Sequence, residues 1–170
     1  MSHTSLVELI DKSSLECLNQ SSDCGASDVL LQPSSDVFVE SDVDDQLLVS
    51  FGFRQPVRVY ALRIVCPEEA VKGGFSPESV KVFANTMNLD FQSAEESHPT
   101  QELELAADQL LEGSQIPLRF AKFQHVTHMT LFFESSTGAD VLRIGHIEAI
   151  GQPCDAMNMG DWKPSQEGEA

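Results

Sequence analysis

Residues 38–65, FVESDVDDQLLVSFGFRQPVRVYALRIV, decide the fold. From Gln46 to Phe53 the apolar side chains Leu47, Val49, Phe51 and Phe53 fall at every second position, with Leu48, Ser50 and Gly52 between them. That period belongs to a strand with one buried face; a helix would scatter the four residues around its circumference. Arg54-Gln55-Pro56 breaks the pattern, and proline fixes its own φ while biasing the preceding residue to extended geometry, so the chain is expected to turn or cross here before resuming. Val57 to Val65 resumes with a less regular alternation: Val57, Val59 and Ala61 against Tyr60, Leu62 and Ile64. Such a run is read as an inner strand covered on both sides.

The lead-in Glu40-Ser41-Asp42-Val43-Asp44-Asp45 cannot be core, because unpaired carboxylates are costly to bury, and it belongs to a loop or strand edge. With Gln46-Leu47-Leu48, the following strand and Gln55-Pro56-Val57, it resembles the PITH domain, the module found at the C-terminal end of thioredoxin-like proteins and as stand-alone chains. Further matches occur in order: Glu16-Cys17-Leu18-Asn19, Val80 to Asn85 (VKVFAN), Leu89-Asp90-Phe91, Leu118 to Val126 (LRFAKFQHV) and an Ile-Gly near the end. The resemblance runs over residues 5 to 163. It implies a galactose-binding-domain-like jelly roll and a non-catalytic adapter that binds the 26S proteasome regulatory particle. It also implies a likeness of Asp155 to Lys163 to the family's post-sandwich segment. No W-C-x-x-C motif precedes Leu6, so the chain is expected to be either a cut-out domain or a stand-alone member, without redox activity.

Composition points the same way. At 170 residues with 41% hydrophobic content, one domain with its own core is expected. Domain bounds of 5–153 are expected, followed by a polar tail at 154–170. Twenty-seven acidic against ten basic residues give a net charge of −17, which argues against nucleic acid and anionic membranes. The complement is a basic protein surface, unless the acidity serves solubility alone. Cys17, Cys24, Cys66 and Cys154 form no CxxC and no zinc-ribbon spacing, the N-terminus has no secretory pattern, and no window is long enough to span a membrane. A monomer in the cytoplasm is expected, with the nucleus open as a second location, and with free thiols.

Along the chain, Ser5 with Glu8 reads as the capping box of a short helix buried through Leu6, Leu9 and Ile10 and ended by Asp11-Lys12-Ser13-Ser14. Gln20 to Ser35 reads as a surface loop, and Pro67 to Pro77 as a connection. Ser79 to Asn85 and Thr100 to Leu105 read as strands, the second with Leu103 and Leu105 inward and the glutamates outward. Ala106 to Gly113 is a loop or one helical turn. Ile116 to Ser135 reads as two strands joined at Gln124-His125, and Val141 to Ile150 as the closing strand, bulged at Gly145 and stopped by Gly151-Gln152-Pro153. Short strands without crossover helices indicate an all-β antiparallel sandwich with a short N-terminal helix.

Candidate chemistry is sparse. Glu40, Asp42, Asp44 and Asp45 could hold calcium through hard oxygens, but the EF-hand glycine and final glutamate are missing; the alternative is a loop whose aspartates cap backbone N–H groups. His125 and His128, three apart, would point to opposite faces of a strand. Cys17 follows Glu16, whose charge disfavours a thiolate. Neither GxSxG nor a phosphate-cradling loop occurs. The expectation is therefore no enzyme, no metal and no cofactor. Met157, Met159, Asp161, Trp162 and Lys163 are the candidate partner contacts, since Met and Trp bury large areas; the alternative is that Met157, Met159 and Trp162 pack back on the sandwich. The competing function is a jelly roll that holds a sugar or lipid headgroup in its end loops.

Overall fold

The computed structural model describes residues 4–19, 38–42, 44–86 and 89–154. The strands, in chain order, are β1 (Thr4–Ser5), β2 (Ile10–Leu18), β3 (Val39–Glu40), β4 (Leu47–Val65), β5 (Ser79–Ala84), β6 (Gln101–Glu104), β7 (Gln115–Pro117), β8 (Val126–Phe133), β9 (Arg143–Ile144) and β10 (His146–Pro153). Among the described residues three short α-helices interrupt them: α1 (Glu68–Lys72), α2 (Phe91–Glu96) and α3 (Ala107–Glu112). Every pairing is antiparallel.

The organising element is β4, a single strand of 19 residues. Its first half lies between β2 and β8, and β8 continues the layer to β5 and β6; its second half lies between β10 and β7, with β1 beyond β10. The two groups turn their apolar sides to one core that includes Leu47, Val49, Phe51, Val57, Val59, Leu62 and Ile64 from β4 alone. Each such side chain removed from water contributes roughly 1.5–3 kcal/mol. A second, smaller cluster lies on the outer face of the β4–β8–β5 layer. There Leu48, Phe83 and Phe132 are covered by Ala94 of α2, and the Asp90 carboxylate caps that helix by accepting from the Ser93 N–H at 2.8 Å.

Several sequence expectations are corrected. The break at Arg54-Gln55-Pro56 is no turn between strands: Phe53 to Pro56 face the single residue Thr127 of β8, forming a wide bulge inside one continuous strand. The irregular alternation after it has a different cause from burial on two faces. Ile150 pairs with Ala61 and Gly151 with Val59, so Tyr60 is an extra residue. One inserted residue flips the side-chain parity, which is why Val57, Val59, Leu62 and Ile64 all reach the same core. The glycine opposite is obligatory, since a Cβ on Gly151 would sit 1.8 Å from the Arg58 carbonyl oxygen. The irregularity in the closing pair therefore falls opposite Gly151, with the extra residue on β4, and β10 runs past it to Pro153. Gly145 instead separates β9, which pairs with β3, from β10.

The N-terminal helix shrinks to one 3-10 turn over Val7–Leu9, because Ile10 onward pairs with β4 and those ladder bonds outweigh a local capping preference. Lys12 to Leu15 then bulge opposite Phe51, and Ser14 Oγ takes the place of a ladder acceptor by receiving the Gly52 N–H at 2.7 Å. No hairpin forms over 116–135: β7 pairs with β4, and a 3-10 turn over Phe120–Lys122 precedes β8. The expected strands at β5 and β6 are present, with Leu103 and Leu105 buried and Glu102 and Glu104 exposed. The connection after Pro67 contains α1, and Ala106 to Gly113 contains α3, which ends in Gly113 at φ 71°. The expected loop at Gln20–Ser35 lies outside the described residues.

Candidate functional site

The acidic run is dispersed over structural partners. Glu40 Oε2 meets Arg143 Nε at 2.8 Å across the β3–β9 pair, and the Arg143 guanidinium lies over the Phe75 ring at 4.6 Å and the Phe38 ring at 5.6 Å. Ser41, buried between the acids, donates its N–H to the Leu142 carbonyl and accepts the Leu142 N–H on its hydroxyl at 2.8 Å. Asp44 Oδ1 accepts from Asn19 Nδ2 at 2.7 Å and from the Gln46 N–H at 3.2 Å. Asp45 Oδ2 accepts from the Ser136 N–H at 2.9 Å and from its hydroxyl at 3.3 Å. Asp42 is exposed, and its N–H donates to the Asn19 carbonyl. The carboxylates of Glu40, Asp44 and Asp45 thus point to separate partners, and among the described residues no three His, Cys, Asp or Glu side chains are grouped to hold a metal ion.

The short motifs of the sequence are joined in space as two pins. Asn19, at φ 71°, closes Glu16-Cys17-Leu18-Asn19 and donates Nδ2 to both Asp44 and the Gln46 carbonyl of the acidic run. Asn85, at φ 62°, closes VKVFAN. It donates Nδ2 to the His125 carbonyl and accepts on Oδ1 from the Thr127 N–H, the Thr127 hydroxyl and the His128 N–H, which fixes the end of LRFAKFQHV. Asparagine suits both places because it tolerates the left-handed region and carries donor and acceptor on one short side chain. The sequence offered a signal for the turn residue but none for its partner 40 positions away.

The remaining titratable candidates are scaffold. His125 is exposed in the turn before β8, whereas His128 is half-buried on β8; burial holds its imidazole below the usual histidine value, opposed by the Thr86 backbone and Glu16. Burial does the same to His146, with Glu148 opposing and Arg63 assisting. His98 is exposed. Burial pushes the Cys17 thiol up to about 12, so desolvation, more than the Glu16 charge, keeps it from ionising; Cys66 is likewise pushed up to about 12. Cys154 is buried, its Sγ donating to the Gln124 carbonyl at 3.2 Å and its N–H to the Pro56 carbonyl at 3.0 Å. Met157, Met159, Asp161, Trp162 and Lys163 lie outside the described residues. No described helix is long and apolar enough to cross a membrane.

The family model for the PITH domain matches residues 1–168. Thioredoxin-like protein 1 of Schizosaccharomyces pombe is 36% identical over 162 residues, covering 92% of this chain and 54% of the relative. A PITH domain-containing protein of Drosophila melanogaster is 30% identical over 160 residues, covering 92% of this chain and 73% of its own length. The chain thus spans about half of the first relative and nearly three quarters of the second. Among solved structures, the family 32 carbohydrate-binding module of Clostridium perfringens NanJ, in complex with galactose, superposes with a TM-score of 0.63 at 8% identity, covering 88% of this chain and 99% of that one. At that identity the likeness shows the fold alone, an antiparallel jelly roll.

Proposed function

The chain belongs to the PITH domain family, and from that premise we propose that it is a non-catalytic adapter that binds the 26S proteasome regulatory particle. The observation that carries this reading is the extent of the family match, which takes in both pinned motif pairs and continues through the segment beyond Cys154. The described surface adds a physical constraint. Leu111, at 44% exposure, is the one large apolar side chain recorded as exposed among the described residues, so the described side chains offer no apolar cluster as a hot spot. The anchors in this reading are Met157, Met159 and Trp162, flanked by Asp161 and Lys163. A net charge of −17 steers encounter toward a basic surface and makes it salt-sensitive. A monomer in cytoplasm and nucleus fits that role.

The competing reading, a small-ligand jelly roll, rests on the fold of the galactose-bound neighbour. Sugar sites need an exposed ring with polar groups beside it. Here the Phe38 and Phe75 rings are taken by Arg143, and Phe51, Phe83, Phe123, Phe132 and Phe133 are buried. A pull-down from cytosol at low and moderate salt separates the two. Regulatory-particle subunits co-purify under the adapter reading, most strongly at low salt, and deleting 155–170, which spares the buried Cys154, abolishes capture; their absence at every salt, with a specific hit on a glycan array, overturns it.

A further inference from the structure

Among the described residues the large sheet ends in four strands, each with one side that no described strand pairs, and three of them are blunted. β1 has two residues, β7 has three and ends in Pro117, and β2 is broken by its bulge at Lys12 to Leu15. Shortness, proline and bulges are the usual means by which proteins keep an edge from pairing. β6 has four residues and neither proline nor bulge; what guards it is the exposed charge of Glu102 and Glu104, which repels a like strand and suits one of opposite charge. Its register to β5 is regular from Ser79↔Glu104 to Val82↔Gln101. The hydrogen-bonding sense follows from its ends: the Leu105 N–H donates to the Glu78 carbonyl, and the Ala84 N–H turns to the same side, where Thr100 Oγ1 accepts it at 2.9 Å. Since bonded and non-bonded pairs alternate in an antiparallel ladder, Leu103 and Gln101 bond inward to β5. The N–H and C=O groups of Glu102 and Glu104 therefore face outward, and no described residue pairs with them.

The same two residues carry the charge. Both are exposed and, with Glu78, Ser79 and Thr137, they border an open groove of about 660 Å³ where the start of β5 meets the end of β6. Glu78 accepts from the Ser135 hydroxyl at 2.9 Å. Lys81, opposite Glu102 on β5, is directed to Glu134 at 3.5 Å and over the Phe132 ring, so its ion pair is made elsewhere. Glu102 and Glu104 form no salt bridge among the described residues.

We infer that the outer edge of β6 is a strand-addition site for an extended, Lys- or Arg-bearing segment of a partner protein. Main-chain bonds to Glu102 and Glu104 align the segment, and alternate basic side chains meet the Glu78, Glu102 and Glu104 carboxylates. The charge also selects against the nearest competitor: a second copy pairing through β6 would bring Glu102 and Glu104 against their own kind. The site uses residues other than 154–170 and does not depend on which complex the chain joins.

The test titrates the full chain against a labelled peptide of alternating Lys and Val, read by fluorescence anisotropy at low and moderate salt and by amide hydrogen exchange. Binding at low salt with slowed exchange at the Glu102 and Glu104 amides supports the site. Glu104→Pro removes an outward N–H that β5 does not use, and should weaken binding roughly fivefold. Glu102→Lys with Glu104→Lys should weaken it at least about tenfold. Both variants should melt like the parent. Three results would overturn the inference: Glu104→Pro that binds as before while charge reversal abolishes binding, which is charge attraction without strand pairing; equal binding of a Glu/Val peptide; or Glu102 and Glu104 amides already protected by self-association.

Discussion

Two acidic regions of this molecule, the run Glu40 to Asp45 and the edge strand β6, differ in what their carboxylates touch. In the run, Glu40 is held by Arg143, Asp44 by Asn19, and Asp45 by Ser136. On β6, Glu102 and Glu104 are exposed beside main-chain groups that no described strand pairs on their outer side. The denser run is the one occupied with holding the fold together. Acidic density in a sequence therefore says little about where a partner binds; what matters is whether the oxygens already have donors.

The contrast is sharpened by substitutions on each side, and the largest effect is expected at the asparagine pins. Asn85→Ala removes one donor and one shared acceptor and leaves alanine at φ 62°, so a loss of about 3 kcal/mol in denaturant unfolding is expected. Asn85→Gly, which suits the backbone, should lose less. Asp45→Ala strips the Ser136 N–H of its acceptor and should cost about 2 kcal/mol in the same experiment. Glu40→Gln keeps the shape but weakens a partly exposed ion pair, for about 1 kcal/mol, with Arg143 still stacked on Phe75. Glu102→Lys with Glu104→Lys should shift stability by under about 0.5 kcal/mol, because these side chains are exposed and unpaired by salt bridges. If the β6 pair proved as costly as Asp45, the two regions would not differ in kind.

The smallest effect is that of pH. His128 and His146 are both held below the ordinary histidine value of about 6.5 by burial. On acidification the unfolded chain takes up these protons first, so stability is complete above about pH 6.5 and declines as the pH falls through the lower folded-state values. Melting curves on either side of that range should show it, and His128→Gln together with His146→Gln should flatten the dependence.

Much of this was legible in the sequence where a strict period of two survives. β5 and β6 alternate cleanly and lie where the alternation places them, and the β-sandwich class follows from short strands without crossover helices. The failures cluster at bulges. A bulge adds residues to one strand without ending it, so Arg54-Gln55-Pro56 looked like a break and the parity change at Tyr60 looked like burial on two faces. Ser5 and Glu8 have the spacing of a helix cap, but pairing with β4 decides that segment. For the site, the capping role of Asp44 was readable because Gln46 is two residues away, whereas Arg143, 103 positions from Glu40, was not. The exposed glutamates of β6 were visible as outward residues, yet that β6 is the last strand of its layer is a property of the topology.

The most direct test of the account is amide hydrogen exchange on the full chain with and without purified 26S proteasome regulatory particle. Slowed exchange in β6 or in 154–170 is expected, with the amides of Glu40 to Asp45 exchanging at the same rate in both samples. Exchange that is unchanged throughout, or slowed in Glu40 to Asp45 alone, would contradict it.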